Sequence, residues 1–413
     1  MEIVDNEYVL QGKRITDIAD EFGTPLYVYD GDKIIKQYNI LKSAFSQLNV
    51  KIKYAVKALS NPAILKLLRT KGAGLDVVSI NEGRLGLEAG FSPSDILYTP
   101  SGVSFDEVRE GVELGFNINI DSISILEKFG KTYGEKVPCS VRLNPHILAG
   151  GNSKISTGHI DSKFGISIYQ LPQILHVVKL YNIKVQGLHM HTGSDILEAD
   201  VFLKMAEILF GVAGDFRDLK FIDFGSGFKV AYKQGDITTN VFEVGIRLTE
   251  AFNNFCIQYG RQLEVWFEPG KYLVSEAGIF LVKVNVVKTT PVRSFVGVNS
   301  GLNHLIRPMM YDAYHDIVNI SNTKGTNHVY SVVGYICETD TFGSDRKLNE
   351  VREGDILMIK NAGAYGMSMA SNYNSRQRPA EVLVYKNETH LIRREESFED
   401  LKRNVVDIDF DTE

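Results

Sequence analysis

The sequence is poor in cysteine: its 413 residues hold three, Cys139, Cys256 and Cys337, far apart from one another. The number is odd, no CxxC occurs and no Cys/His comb accompanies them, so a disulfide framework and a zinc module are both excluded and a reducing compartment is expected. Also missing is any Lys/Arg run long enough to follow a nucleic-acid backbone, and 45 basic against 51 acidic side chains leave a net charge of -6. Nucleic acid and anionic membrane surfaces are therefore not expected as partners. No apolar run reaches the length of a membrane span, and the first ten residues carry Glu2, Asp5 and Glu7 where a secretory leader would carry cations. A cytoplasmic location follows as an expectation. There is no internal sequence repeat and no low-complexity linker. What remains is an ordinary globular composition, 44% hydrophobic and 23% charged, over a length that suits two domains.

Between residues 51 and 270 one unit recurs: a short β-rich apolar run, a turn rich in Gly, Ser, Asn or Asp, then a stretch of helical periodicity. The runs are KIKYAVKA from Lys51, GLDVVS from Gly74, DILYTP from Asp95, FNINID from Phe116, CSVRLN from Cys139, VQGLHMH from Val185, FIDFGSG from Phe221 and VWFEPG from Val265. Between them, Ile64, Leu65, Leu67 and Leu68 mark one helical face, and Val201, Met205, Ile208, Leu209 and Val212 another. Asn61 before Pro62 is a helix start, and Ser104 with Glu107 reads as a capping box. Eight strand–helix units predict an α/β fold with a (β/α)8 barrel of the TIM type, the rival being a doubly wound open sheet. After about residue 276 the runs FLVKVNVVKTT, SFVGVNSG, HVYSVVGYICE, DILMIKNAG and AEVLVYKN follow one another without crossover helices, which predicts a mainly antiparallel β domain. The expected boundaries are 1–30 for an N-terminal segment joining the β domain through PLYVYD, 31–275 for the barrel and 276–413 for the β domain.

In such a barrel the chemistry gathers where strands end. The polar residues there are Lys57 after the first strand, Asp76 in the second, Arg142 and Asn144 in the fifth, and His189, His191, Gly193 and Ser194 at the sixth. Gly225, Ser226 and Gly227 follow the seventh, and Glu268, Gly270 and Lys271 the eighth. Taken alone, Lys57 reads as a surface lysine with its stem on apolar neighbours. At a barrel strand end, partly desolvated, it becomes a nucleophilic amine suited to an imine. His189 and His191 share one side of a strand, but no third ligand at a fitting position supports a metal, so none is expected. His189 reads as a hydrogen-bonded, non-ligating histidine and His191 as one that could stack on a ring. The Gly225-Ser226-Gly227 turn after the seventh strand suits a phosphate, and Glu268 could keep a pyridine nitrogen protonated. The set reads as a pyridoxal 5′-phosphate site.

These motifs, together with STGHIDSKFGI from Ser156 and, in the second half, LIRPMMYDAYH, CETDTFG and GAYGMSMASNYNSRQRPAEV, resemble the pyridoxal-phosphate-dependent decarboxylases of the alanine-racemase fold type over nearly the whole chain. The resemblance implies roles. Lys57 would bind the cofactor covalently, His191 would stack on its ring and Glu268 would pair with its nitrogen. Asp76, Ser194, Gly225, Gly227, Gly270, Lys271 and Tyr365 would complete the cofactor site. Cys337 would return a proton to the substrate carbon, Glu338 would hold a substrate ammonium, and Lys271, Arg307, Tyr311 and Tyr365 would face the substrate. Cys337 and Glu338 would serve the barrel of a partner chain, implying a homodimer with shared active sites.

The resemblance also bears on the small amino-acid substrate. Relatives acting on ornithine usually carry Cys-Asp where this chain has Cys337-Glu338, and they lack the LIRPMMYDAYH pattern. Both features point to meso-2,6-diaminopimelate, whose far carboxylate would need cations such as Arg307 and Lys271. The family pattern has arginine where Lys271 stands, and an ammonium does not reproduce a guanidinium's two-pronged grip.

Overall fold

The computed structural model describes residues 1–147, 162–233 and 235–410, so Ser156 to Asp161 of the STGHIDSKFGI motif lie outside the described residues. The chain divides into two units, Lys33–Ser275 and the combination of Met1–Asp32 with Glu276–Glu413. No described helix is long and apolar enough to cross a membrane.

The first of these units is the barrel. Its strands are Val50–Ala55, Gly74–Val77, Ile96–Tyr98, Asn117–Ile120, Cys139–Asn144, Val185–Met190, Phe221–Asp223 and Glu264–Phe267. Each pairs in parallel with the next, and the eighth returns to the first through Val265↔Val50 and Phe267↔Ile52. Closure excludes the open doubly wound sheet. The runs read as continuously apolar because both faces are covered: Leu75, Val77, Leu97, Val141 and Leu188 are all buried.

The barrel interior is plugged away from the strand ends that carry chemistry. Leu97, Phe221 and Trp266 form one buried cluster although the third and seventh strands stand on opposite sides of the barrel. Phe221 stacks on Trp266 with centroids 3.6 Å apart, and only a glycine fits at 187, where a Cβ would come within 2.2 Å of the Phe221 ring. Lys53 lies over Trp266 at 4.3 Å and donates to the Asp95 carbonyl at 2.9 Å.

Local signals explain the helix starts. Asn61 Oδ1 accepts from the Ala63 N–H at 3.0 Å ahead of Pro62, and the helix Pro62–Arg69 buries Ile64, Leu65, Leu67 and Leu68. The Ser104 hydroxyl accepts from the Glu107 N–H, starting Phe105–Glu113. The reciprocal half of that capping box is replaced: the Glu107 carboxylate accepts from Tyr98 Oη at 2.6 Å. The helix Ala199–Ala213 buries Met205, Leu209 and Val212, with Val201 and Ile208 half-buried.

In the second unit, Gly278–Thr289 is the longest strand of the sheet. It pairs antiparallel with Ser294–Val298, Ile356–Ile359 and Leu26–Asp30. Leu26–Asp30 in turn pairs in parallel with Ala380–Tyr385, which forms a hairpin with Glu388–Arg393. On the other side Ser294–Val298 pairs in parallel with Asn327–Val333, and that strand pairs antiparallel with Thr341–Asn349. Leu26, Val28, Ile279, Leu281, Met358 and Val382 meet in its core, with Ile15 and Ile18 of the helix Ile15–Phe22. A separate three-stranded sheet, Glu2–Val4, Glu7–Leu10 and Lys13–Arg14, has no counterpart in the sequence-based reading.

Candidate active site

Register brings the barrel's polar residues together. In parallel pairing His189 lies beside Arg142 of the fifth strand and beside Asp223 of the seventh. Glu268 follows the eighth strand directly, and His189 Nε2 bonds its Oε2 at 3.0 Å. His189, Asp223 and Glu268 each place one ligand-capable atom within 4.8 Å of the others. This buried set is a finding beyond the sequence, in which the histidine pair lacked a third ligand. His191 lies outside it, because its Nδ1 accepts from the Ser226 N–H at 3.2 Å.

Lys57 sits in the short turn Val56–Ala58 after the first strand. Its Nζ meets Asp76 Oδ2 at 3.1 Å, and its side chain is 42% exposed while that of Asp76 is 1% exposed. Lys57 is thus ion-paired and partly open to solvent. The desolvated lysine of the same strand is Lys53, whose ammonium burial pushes down to about 8.

Burial, with Glu268 nearby, raises the Asp76 carboxyl, and the same two causes raise Asp223. Burial alone would raise Glu268 too, but the hydrogen bond to His189 and the charge of Lys57 outweigh it and keep this carboxylate ionised. Burial and the neighbouring Arg142 push His191 down to about 3, so its ring is neutral. Arg142 is itself buried, with its guanidinium 4.8 Å from the Phe164 ring centroid.

The loops after strands six, seven and eight form a cradle. Gly225 has φ +60 and Gly227 φ +127. A Cβ at Gly225 would strike the His191 ring at 2.8 Å, and one at Gly227 would come within 2.9 Å of the Gly193 carbonyl oxygen. Both glycines therefore permit backbone approach as well as an unusual φ. Ser194 lies in the facing turn, and Gly270 is buried ahead of Lys271. The Lys271 ammonium is engaged by Asp195, a residue that the sequence-based reading did not single out.

The second unit holds the remaining candidates. Cys337 and Glu338 lie in the turn between Asn327–Val333 and Thr341–Asn349, so the run HVYSVVGYICE leaves the strand before reaching them. Cys337 is exposed, with Asn374 Nδ2 at 3.4 Å from its sulfur. Tyr373 Oη donates to Glu338 at 2.6 Å, which lowers the Glu338 carboxyl. Asp340 pins this turn by accepting from the Leu302 N–H at 2.8 Å and the Ile336 N–H at 3.1 Å. Arg307 is buried at the start of the short helix Arg307–Tyr311, with Tyr311 half-buried at its end. Tyr365 takes φ +58 in a loop of its own, half-buried. Asp223, Asp195, Asp340, Tyr373 and Asn374 escaped the sequence reading, because what marks them is a partner distant in the chain.

The barrel residues suit a phosphorylated pyridine cofactor. Glu268 Oε1 is buried near the Asp223 carboxyl and receives no N–H from the described residues, as an acceptor available to a ring N–H would. The glycine cradle leaves room for an anion, and Lys57 supplies a primary amine. Residues 31–275 match the family model of the pyridoxal binding domain of pyridoxal-dependent decarboxylases, and the chain belongs to that family. It is 37% identical over 414 residues to a diaminopimelate decarboxylase of Methanothermobacter thermautotrophicus, covering 98% of this chain and 96% of that one. A diaminopimelate decarboxylase of Aquifex aeolicus is 33% identical over 418 residues, with 99% and 98% covered. Among solved structures, a diaminopimelate decarboxylase from M. jannaschii in co-complex with L-lysine aligns with a TM-score of 0.88 at 32% identity, covering 98% of each chain.

Proposed function

We propose that this chain decarboxylates meso-2,6-diaminopimelate to L-lysine and carbon dioxide, the last step in making lysine. The observation that carries the reading is the convergence of Lys57, Asp76, His189 and Glu268 at one end of the barrel beside the glycine cradle, in a chain similar over its full length to diaminopimelate decarboxylases. Pyridoxal 5′-phosphate, when bound, supplies the electron-withdrawing ring that makes loss of carbon dioxide from an amino acid's α-carbon feasible.

The residues divide the remaining work. Lys57 is the amine that holds the cofactor, and Asp76, with its raised pKa 3.1 Å away, is placed to take the proton that Lys57 must lose. Glu268 stays ionised to accept from the ring nitrogen, oriented by His189. Neutral His191 offers a ring face. The backbone at Gly225, Gly227 and Gly270 and the Ser194 hydroxyl hold phosphate, with Tyr365 adding a contact.

Cys337 delivers a proton to the α-carbon, while Glu338 binds the substrate's second ammonium. Arg307 and Tyr311 are assigned to its far carboxylate. The protein works as a homodimer in which Cys337 and Glu338 of one protomer serve its partner. Its three unpaired cysteines, one of them exposed, suit a reducing cytoplasm.

The test is turnover of meso-diaminopimelate, ornithine, arginine and lysine side by side. The expected result is rapid loss of carbon dioxide from the first alone, undiminished by a metal chelator. Preference for ornithine or lysine would refute the substrate assignment. Loss of activity on chelation would favour a cation at His189, Asp223 and Glu268.

A further inference from the structure

The residue that departs from the family's arginine has a dedicated partner. Lys271 Nζ donates to both carboxylate oxygens of Asp195, at 2.8 and 2.9 Å. The pair is sheltered, with side chains 11% and 24% exposed. Asp195 directly follows Ser194 in the loop after the sixth strand, where it takes φ +63, and Lys271 directly follows Gly270 in the loop after the eighth. The loop between them is tied in as well. The Ile196 N–H donates to the Gly227 carbonyl at 2.8 Å, and Ile196 bridges Phe228. Thr239 Oγ1 donates to the Ile196 carbonyl at 2.6 Å and accepts from the Lys229 N–H at 2.7 Å.

An ammonium that meets two oxygens of one carboxylate in a sheltered place has its charge matched locally, and it is a weak counter-ion for any further anion. A freely presented cation would instead be expected if position 271 gripped substrate or phosphate directly. We propose that Asp195 is a positioning residue whose ion pair with Lys271 clamps the three cradle loops, so that Ser194, Gly227 and Gly270 meet the cofactor phosphate together. Lys271 is then a strut and does not neutralise the substrate's carboxylate. This inference rests on the pyridoxal-phosphate reading above.

The experiment titrates resolved full-length protein with pyridoxal 5′-phosphate and, separately, with pyridoxal, following absorbance. Wild type is compared with Asp195→Asn, Lys271→Met, the double variant and Lys271→Arg. Each of the first two weakens pyridoxal phosphate roughly tenfold, equivalent to about 1.4 kcal/mol. Pyridoxal, which has no phosphate to hold, binds unchanged. The double variant is no worse than either single one, because the same clamp is lost only once, and Lys271→Arg, which can rebuild the pair, retains wild-type affinity. At saturating cofactor the KM for diaminopimelate does not move.

Asp195→Asn binding pyridoxal phosphate as tightly as wild type, or more tightly, overturns the inference, since Lys271 would then be an anion ligand that Asp195 restrains. Parallel losses for pyridoxal and its phosphate overturn it too, by showing a general structural defect. A wild-type protein that takes up no pyridoxal phosphate would defeat the functional reading itself, an outcome distinct from a wild type that loads normally and variants that match it.

Discussion

Lys57→Ala is expected to abolish both turnover and the borohydride-reducible bond to pyridoxal phosphate, with a rate loss of roughly a thousandfold or more, as befits removal of the covalent nucleophile. Lys53→Ala is the informative companion. Lys53 is the lysine that burial shifts to about 8, yet it lies over Trp266 in the barrel plug with its ammonium on the Asp95 carbonyl. Lys57 is four residues further along, at the strand end and beside Asp76. Position, and not depressed basicity, is therefore the ground for proposing Lys57 as the lysine that holds the cofactor. The Lys53 variant should lose stability while keeping the reducible bond, and peptide mapping after reduction should find the label on Lys57. A label on Lys53, or a labelled and active Lys57→Ala protein, would contradict the assignment.

Glu268→Gln should lower turnover by roughly a hundredfold to a thousandfold, the range for removing one preorganised charged partner from a reacting group. The carboxylate is buried, bonded to His189 through Oε2, and its Oε1 receives no N–H from the described residues. Glutamine keeps the shape but cannot supply the negative charge that favours a protonated ring nitrogen. Because the cradle of Ser194, Gly225, Gly227 and Gly270 is untouched, uptake of pyridoxal phosphate should change far less than turnover. The split between the two is the diagnostic. Equal losses in binding and turnover would show that Glu268 only supports the fold, and unchanged turnover would remove it from the chemistry.

Much of the architecture was readable from the chain because burial leaves a mark on residue order. The eight barrel strands are covered on both faces, so Leu75 and Val77, or Leu97 and Tyr98, appear in short apolar runs that end in turn residues such as Ser79 or Pro100 and Ser101. Strands with one exposed edge leave a weaker trace. Thr341–Asn349, TFGSDRKLN, and Glu388–Arg393, ETHLIR, are polar enough to pass for loops. The N-terminal hairpin turns at Asp5 and Asn6, both with positive φ, and its strand Glu2–Val4 is exposed throughout.

The site was legible to the extent that its members end strands: Lys57, His189, Glu268 and the Gly225 turn occupy positions where a barrel gathers chemistry. Asp223 was hidden inside the FIDFGSG run as an ordinary strand residue. Its place beside His189 depends on register between two strands that the intervening helix and loops keep far apart in sequence. Residue order marks Lys271 as a cation at a strand end, but not its ion pair with Asp195, 76 positions earlier. Pairings over such distances are products of topology, which residue order alone does not display.

The most direct measurement is product analysis after purified protein and pyridoxal 5′-phosphate are incubated with meso-2,6-diaminopimelate in deuterated water. The proposed reaction gives stoichiometric L-lysine and carbon dioxide, with a single deuterium at the carbon that lost its carboxylate. Unchanged diaminopimelate, or a product still carrying both carboxylates, would contradict it.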